Sequence, residues 1–141
     1  MTSWIGISSG FHDSSAALLR DNKIVFALQE ERLSREKGDS SFPEHVLNYI
    51  LNNFNIEDLQ GISFFENPEL RLKNSLLLNE SLEPTDLIKV GTDWIVNNKL
   101  KPLNKLYKIN PLFKKYPIMY SRHHWCHALY GFCCSPFENA H

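Results

Sequence analysis

With 141 residues, 43% of them hydrophobic, and a net charge of -1, the chain is expected to form one domain, which at this size buries about 68–70% of its unfolded surface. No apolar run approaches the ~20 residues of a membrane span, and the opening MTSWIGISSG has neither the basic segment nor the long apolar run of a secretory or mitochondrial presequence. Cys126, Cys133 and Cys134 are odd in number and clustered, which suits no disulfide framework, so a soluble cytoplasmic protein is expected.

Taken in chain order, Trp4 to Ser8 reads as a strand, Ser9 to Asp13 as a loop, and Ser14 to Arg20 as a second strand. Asp21 and Asn22 form a two-residue turn of the kind that tolerates positive φ, and Lys23 to Gln29 returns as the third strand. Both strands of this hairpin carry apolar residues at consecutive positions, which predicts a central place in a sheet covered on each face. Glu30, Glu31 and Arg32 are expected to end the third strand. Pro43 to Phe54 is predicted helical, because Val46, Leu47, Ile50, Leu51 and Phe54 recur at helical spacing behind a proline that suits a first turn.

Gly61 to Glu66 is a fourth strand, and a second helix starts at Pro84 with Leu87, Val90 or Gly91, Trp94 and Ile95 on one stripe. Pro102, Pro111 and Pro117 then break a Lys- and Asn-rich segment into irregular or short helical pieces. Ile118 to Tyr120 should be a strand leading into the last helix. Charge is uneven along this order: residues 1–93 hold fifteen acids and eight bases, whereas residues 94–137 hold seven bases and no acid. The second stretch is either a solvated basic face or the neighbour of a phosphate-bearing ligand or nucleic acid.

Two stretches carry chemistry. In GFHDSSAALL, His12 and Asp13 sit together in a Gly- and Ser-rich turn, and a strand interior could not satisfy their polar atoms. The pair belongs to a loop and to a possible site. In YSRHHWCHALYGFCCSPF, Ser121 is the expected N-cap and Pro136 marks the end. At about 100° per residue His123, His127, Tyr130 and Cys134 share one stripe, and Trp125, Leu129 and Phe132 the opposite one, which is predicted to be core. His123 and His127, at i and i+4, can place two imidazole nitrogens on one metal ion, but two ligands do not complete a site. His124 points away and suits a structural or substrate-binding role, and a His/His/Cys zinc set with Cys134 remains a second possibility.

Together, GISSGFHDSSAALLRDNKIVFALQEERLSREKGDSSFP, ISFFENPEL, WIVNNKLKP and HHWCHALYGFCCSPFENA resemble, in order from Ile5 to Ala140, the N-terminal part of the O-carbamoyltransferase family that decorates antibiotics and nodulation factors. The combination of HDSxAAL, EERxxRxKxDxxFP and HHxxHAxxxFxxSPF is specific. The resemblance implies an α/β fold, a partial actin/hexokinase-like (ribonuclease H-like) domain with a mixed sheet, an N-terminal antiparallel hairpin and covering helices, related to the tRNA threonylcarbamoyl-transfer enzymes. It implies transfer of a carbamoyl group from carbamoyl-adenylate, made from carbamoyl phosphate and ATP, to a hydroxyl of a small molecule.

On that resemblance His123 and His127 are metal ligands, with Fe2+ as the expected ion, and His12 is the general base or the group that orients the acceptor. Asp13 fixes its tautomer or caps the loop. Ser8, Ser9 and Gly10 let backbone N–H groups approach a phosphate, and Glu31, Arg35, Lys37 and His124 line the transfer site or bind substrate. Residues 1–141 then form an incomplete N-terminal carbamoyl-transfer domain, with the rest of that domain and a YrdC-like, adenylate-forming domain elsewhere, in a longer frame or in a separately encoded C-terminal half. Tyr130-Gly131 stands where many relatives have Ser-Ala, a departure expected to affect helix packing. An RNA-binding module and a non-catalytic half of a split enzyme are the alternatives, although nucleic acid and membrane are not the expected partners.

Overall fold

Alternation of apolar and small residues builds the sheet. In β1 (Ser3–Ser8) the side chains of Ser3, Ile5 and Ile7 are buried while Trp4, Gly6 and Ser8 are half-buried, the period-two pattern of a strand with one face on a core. β2 (Ser15–Arg20) and β3 (Lys23–Gln29) follow as an antiparallel hairpin. Its turn residues Asp21 and Asn22 both have positive φ, 47° and 63°, as a two-residue hairpin turn requires. The computed structural model describes residues 2–77, 83–96 and 99–139, so Asn97, Asn98 and Ala140 of the quoted motifs lie outside the described residues.

The five-stranded sheet has the order β3-β2-β1-β4-β5, with β4 at Leu59–Phe64 and β5 at Ile118–Tyr120. β1 pairs antiparallel with β2, but parallel with β4, and β4 pairs parallel with β5. The chain is therefore α/β with a mixed sheet, and the carboxyl ends of β1, β4 and β5 share one edge. The hairpin is not central: β3 is an edge strand, with Ile24 and Val25 62% and 42% exposed. Nor is the sheet covered on both faces. Helix α2 (Glu44–Asn53), α5 (Leu103–Ile109) and a 3-10 turn (Pro111–Lys115) all pack on the face of Ile5, Leu18 and Ile62. The other face carries the small residues Gly6, Ala17, Ala27 and Ser63 around an open hollow of about 550 Å³. Apolar runs in the hairpin signalled burial on two faces, but the crossover after β3 sends the chain to the far side of β1, leaving β3 without an outer neighbour among the described residues.

Val46, Leu47 and Ile50 of α2 are fully buried, as their spacing predicts. Pro43 has no side chain to cap the helix, and Glu30 takes that role. Its carboxylate, 1% exposed, accepts hydrogen bonds from the backbone N–H of His45 at 2.9 Å and Val46 at 3.1 Å. The Nδ1 of His45 lies 2.6 Å from the same carboxylate. Glu30 and Arg32 therefore do not end β3, which stops at Gln29. Glu31–Ser34 instead forms a single helical turn, α1, closed by Arg35 at φ 67°.

After β4, α3 (Pro68–Leu77) is a helix that the hydrophobic spacing did not announce. α4 (Pro84–Val96) starts where predicted, yet among its described residues only Trp94 is buried, and Leu87 and Ile95 of the expected stripe are 39% and 74% exposed. The proline-punctuated segment is the expected set of short helical pieces, α5 and the 3-10 turn, the latter capped by Asn110, whose Oδ1 accepts from the N–H of Leu112 at 3.0 Å. The last helix, α6, spans His123–Cys133 with Arg122 at the N-cap. Ser121 is not the cap: it lies one residue before it, with its N–H bonded to the carbonyl of Phe64 at 2.9 Å and its hydroxyl 3.4 Å from that of Ser63. None of the residues of α6 is buried, and Trp125, Leu129 and Phe132 are 59%, 49% and 38% exposed. The aromatic stripe is not core. The helix instead turns His123 and Cys126 toward the sheet, with the His123 ring 5.6 Å from that of Phe65 and the Cys126 thiol donating to the Phe65 carbonyl at 3.3 Å, while His127 stays exposed.

One close approach in the sheet gives a direct test of register. Gly61 faces Trp4 across the β1–β4 pair, and a Cβ there would meet the indole, lying 2.8 Å from Cη2. Gly61→Ala should cost about 1–3 kcal/mol, as overpacking of a filled site does, measured by thermal denaturation. Gly6→Ala, which meets nothing within 4 Å, is the control and should stay near the parent.

Candidate active site

Ligands of open α/β sheets bind beyond the carboxyl ends of parallel strands, and here that edge carries a cleft of about 1030 Å³. Ser9, His12 and Asp13 reach it from the loop after β1, Arg71 from α3, and His123 and His127 from α6. Residues more than a hundred positions apart thus line one cleft because β1 and β5 both end at this edge.

The loop is held from behind. Gly10, at φ 94°, donates its N–H to the carbonyl of Ser40 at 3.0 Å, and Ser14 donates to that of Asp39 at 2.8 Å. The N–H of Gly10 is therefore spent within the protein rather than offered to a ligand, which corrects one part of the phosphate-loop expectation. Asp39 is itself fixed: hydrogen bonds from the Ser34 and Ser41 side chains are the largest influences holding its carboxyl below the ordinary range. On this support His12 projects into solvent, with Nδ1 2.8 Å from Oδ2 of Asp13. A carboxylate only accepts, so Nδ1 is the donor in this pair, and in the neutral imidazole this leaves Nε2 with its lone pair available as a base. Asp13 itself has φ 48°, a turn conformation that aspartate tolerates.

On α6 the Nε2 atoms of His123 and His127 lie 3.0 Å apart. Two lone pairs cannot face each other at that spacing, so a proton or a cation belongs between them. Burial, and then the neighbouring His127, lower the pKa of His123 below its ordinary 6.5, so this imidazole keeps a free lone pair to lower pH, as metal binding requires. Its Nδ1 is buried with no hydrogen-bond partner. Among the described residues no third His, Cys, Asp or Glu joins the pair in a metal-ligating group. The two nitrogens fit two positions of a coordination sphere and leave the others to be supplied from elsewhere. Cys134, the soft-ligand alternative, is exposed.

The other expected site residues are not brought into this cleft. Gly10 lines a small neighbouring cavity of about 70 Å³ together with Ser9 and Trp94, and His124 lines a second cleft of about 580 Å³ on the far side of His123. Glu31 accepts the N–H of Gly38 at 2.8 Å, while Arg35 and Lys37 are exposed on the segment after α1. The lysines of α5 and the 3-10 turn are exposed and none lines the cleft of His12, which fits a solvated basic face. Conversely, Phe11, Gln29, Phe65, Arg71, Cys126 and Tyr130 line the cleft without having been picked out as site residues. Tyr130 was on the histidine stripe, but Arg71 sits on a helix that had no sequence signature. No helix among the described residues is long and apolar enough to cross a membrane.

A histidine-carboxylate pair and two convergent imidazoles thus line one cleft at the strand ends of a mixed α/β sheet. The chain belongs to the carbamoyltransferase N-terminus family, whose profile matches residues 3–141. It is 35% identical to an uncharacterized protein of Synechocystis sp. over 99% of this chain and 24% of that protein. It is also 37% identical to an uncharacterized protein of Methanocaldococcus jannaschii, over 42% of this chain and 11% of the other. Nodulation protein NolNO of Sinorhizobium fredii is 32% identical over 38% of this chain and 8% of its own length. The chain thus spans a quarter or less of the curated relatives it matches.

Proposed function

We propose that this chain forms the acceptor-activating part of a cytoplasmic carbamoyltransferase that moves a carbamoyl group from carbamoyl-adenylate to a small-molecule hydroxyl. The single observation that carries this reading is the cleft that joins His12 and Asp13 to His123 and His127. The antiparallel start of the sheet and its parallel continuation support placing it in an incomplete actin/hexokinase-like domain. The small share of each relative's length that it spans supports a division of labour, in which carbamoyl phosphate and ATP are converted to the adenylate by residues outside these 141.

In the transfer step the acceptor hydroxyl oxygen bonds to the carbamoyl carbon while the bond from that carbon to the phosphate oxygen breaks. AMP leaves with the electron pair, and the hydroxyl proton passes to Nε2 of His12. Asp13, hydrogen-bonded to Nδ1, holds the tautomer that makes this possible and balances the imidazolium that forms. Phe11 and Phe65, edge to face at 6.2 Å, give the cleft an apolar wall. A divalent metal, Fe2+ on the family resemblance, would be held by His123 and His127 and would polarise an oxygen of the donor. His127→Ala should then lower metal content at least ~10-fold, the loss typical for disrupting a ligand set. Elemental analysis of the protein that carries this segment reads it, and unchanged metal content removes the assignment.

A further inference from the structure

Arg71 is held in the cleft by two partners, a carboxylate and an aromatic ring. Its Nη1 donates to Oε2 of Glu66 at 2.7 Å, and Glu66 is buried, so the ion pair holds the base of the guanidinium rather than waving in water. Its guanidinium carbon lies 3.4 Å above the ring centroid of Phe11, a stacked arrangement that fixes the plane of the group. Phe11 belongs to the same loop as His12. Arg71 lines both the cleft of His12 and the cleft of His124, with His123 as the other shared wall. Of the five N–H donors of an arginine, one goes to Glu66, and no other acceptor among the described residues takes a hydrogen bond from this guanidinium. Its side chain is 34% exposed, so the uncommitted donors can be reached. Apart from the histidines, it is the only cationic side chain among the described residues that line the His12 cleft.

From this geometry we infer that Arg71 binds the phosphate of the adenylate donor and stabilises the charge that builds on it as AMP departs. The inference rests on the adenylate reading above and adds the group that recognises the leaving phosphate. Arg35 and Lys37, the cations that the sequence pointed to, are exposed on the segment after α1 and line neither cleft. A planar guanidinium fits two phosphate oxygens at once, and a fixed one needs no reorganisation when the carbon–oxygen bond breaks. Glu66 and Phe11 are positioning residues, acting through Arg71.

The test compares AMP with adenosine as probes in NMR-detected titrations of the full chain, which read millimolar binding. The parent should prefer AMP by about 10- to 100-fold, the range of hydrogen bonds to a charged group. Arg71→Ala should bring the ratio close to one while adenosine affinity stays unchanged. Arg71→Lys, which keeps the charge and loses the fork, should retain part of the preference, and Glu66→Gln should weaken it less than Arg71→Ala does. If Arg71→Ala keeps the full AMP preference and only melts earlier, Arg71 is a structural tie between α3 and the loop, and the inference fails while the transferase reading stands. If the parent binds neither probe, or shows no preference, the inference is overturned. Carbamoyl transfer by the protein that carries this segment, assayed separately, then decides whether the adenylate reading falls with it.

Discussion

His12→Asn, in the protein that carries this segment together with its adenylate-forming part, is expected to slow carbamoyl transfer by ~10²–10⁴-fold, the usual contribution of a positioned general base. Adenylate formation should be unchanged. The separation follows from the structure: His12 stands out from its loop into the cleft, and the bonds that hold the loop are made by Gly10 and Ser14 backbone groups. Asparagine can occupy the turn but cannot take the hydroxyl proton. Pyrophosphate release and carbamoylated product, measured side by side, decide the matter. Near-normal product formation would reduce His12 to a surface residue, and a parallel fall of both half-reactions with a lower melting temperature would make its role structural.

The second large effect is on stability. Glu30→Ala should destabilise the chain by about 2–4 kcal/mol, because it removes a buried carboxylate and leaves the first-turn N–H groups of His45 and Val46 without their acceptor. For a chain of this size that corresponds to a fall of roughly 5–15 °C in Tm. Glu30→Gln keeps one carbonyl acceptor and should lose about half as much. The consequence reaches the site, since Glu30 donates its own N–H to the carbonyl of Ser14 at 2.7 Å, and the segment leading to α2 holds the His12 loop through Ser40 and Asp39. Denaturant unfolding measures it, and a Glu30→Ala midpoint within the error of the parent's would show that water caps α2 equally well.

The Arg71 inference and the His12 prediction bear on different atoms of one reaction. On the proposed reading His12 would receive the proton of the attacking hydroxyl, whereas Arg71 would meet charge on the departing phosphate. Loss of the first leaves nucleotide binding intact. Loss of the second changes the discrimination between AMP and adenosine and leaves the proton acceptor in place.

Local pattern alone specified the elements whose signal lies within a few residues. The first strand through Trp4 and Ser8, the Asp21-Asn22 turn, the stripe Val46, Leu47, Ile50 and the strand Ile118–Tyr120 all stand where the sequence placed them. So does the convergence of His123 and His127, because i and i+4 on a helix face one way whatever the helix packs against. The family, too, was legible in three short motifs. Tertiary structure decided the rest. Whether an apolar stripe is buried depends on what other elements cover it, which is why the Trp125, Leu129 and Phe132 face and the outer side of β3 are exposed despite their composition. The cleft itself depends on strand order: β1, β4 and β5 run parallel and end together, bringing loop, α3 and α6 to one edge. Arg71 and Glu30 were invisible for the same reason, since a charged residue shows its role only through partners that the folded chain supplies, Phe11 and Glu66 for one and the start of α2 for the other.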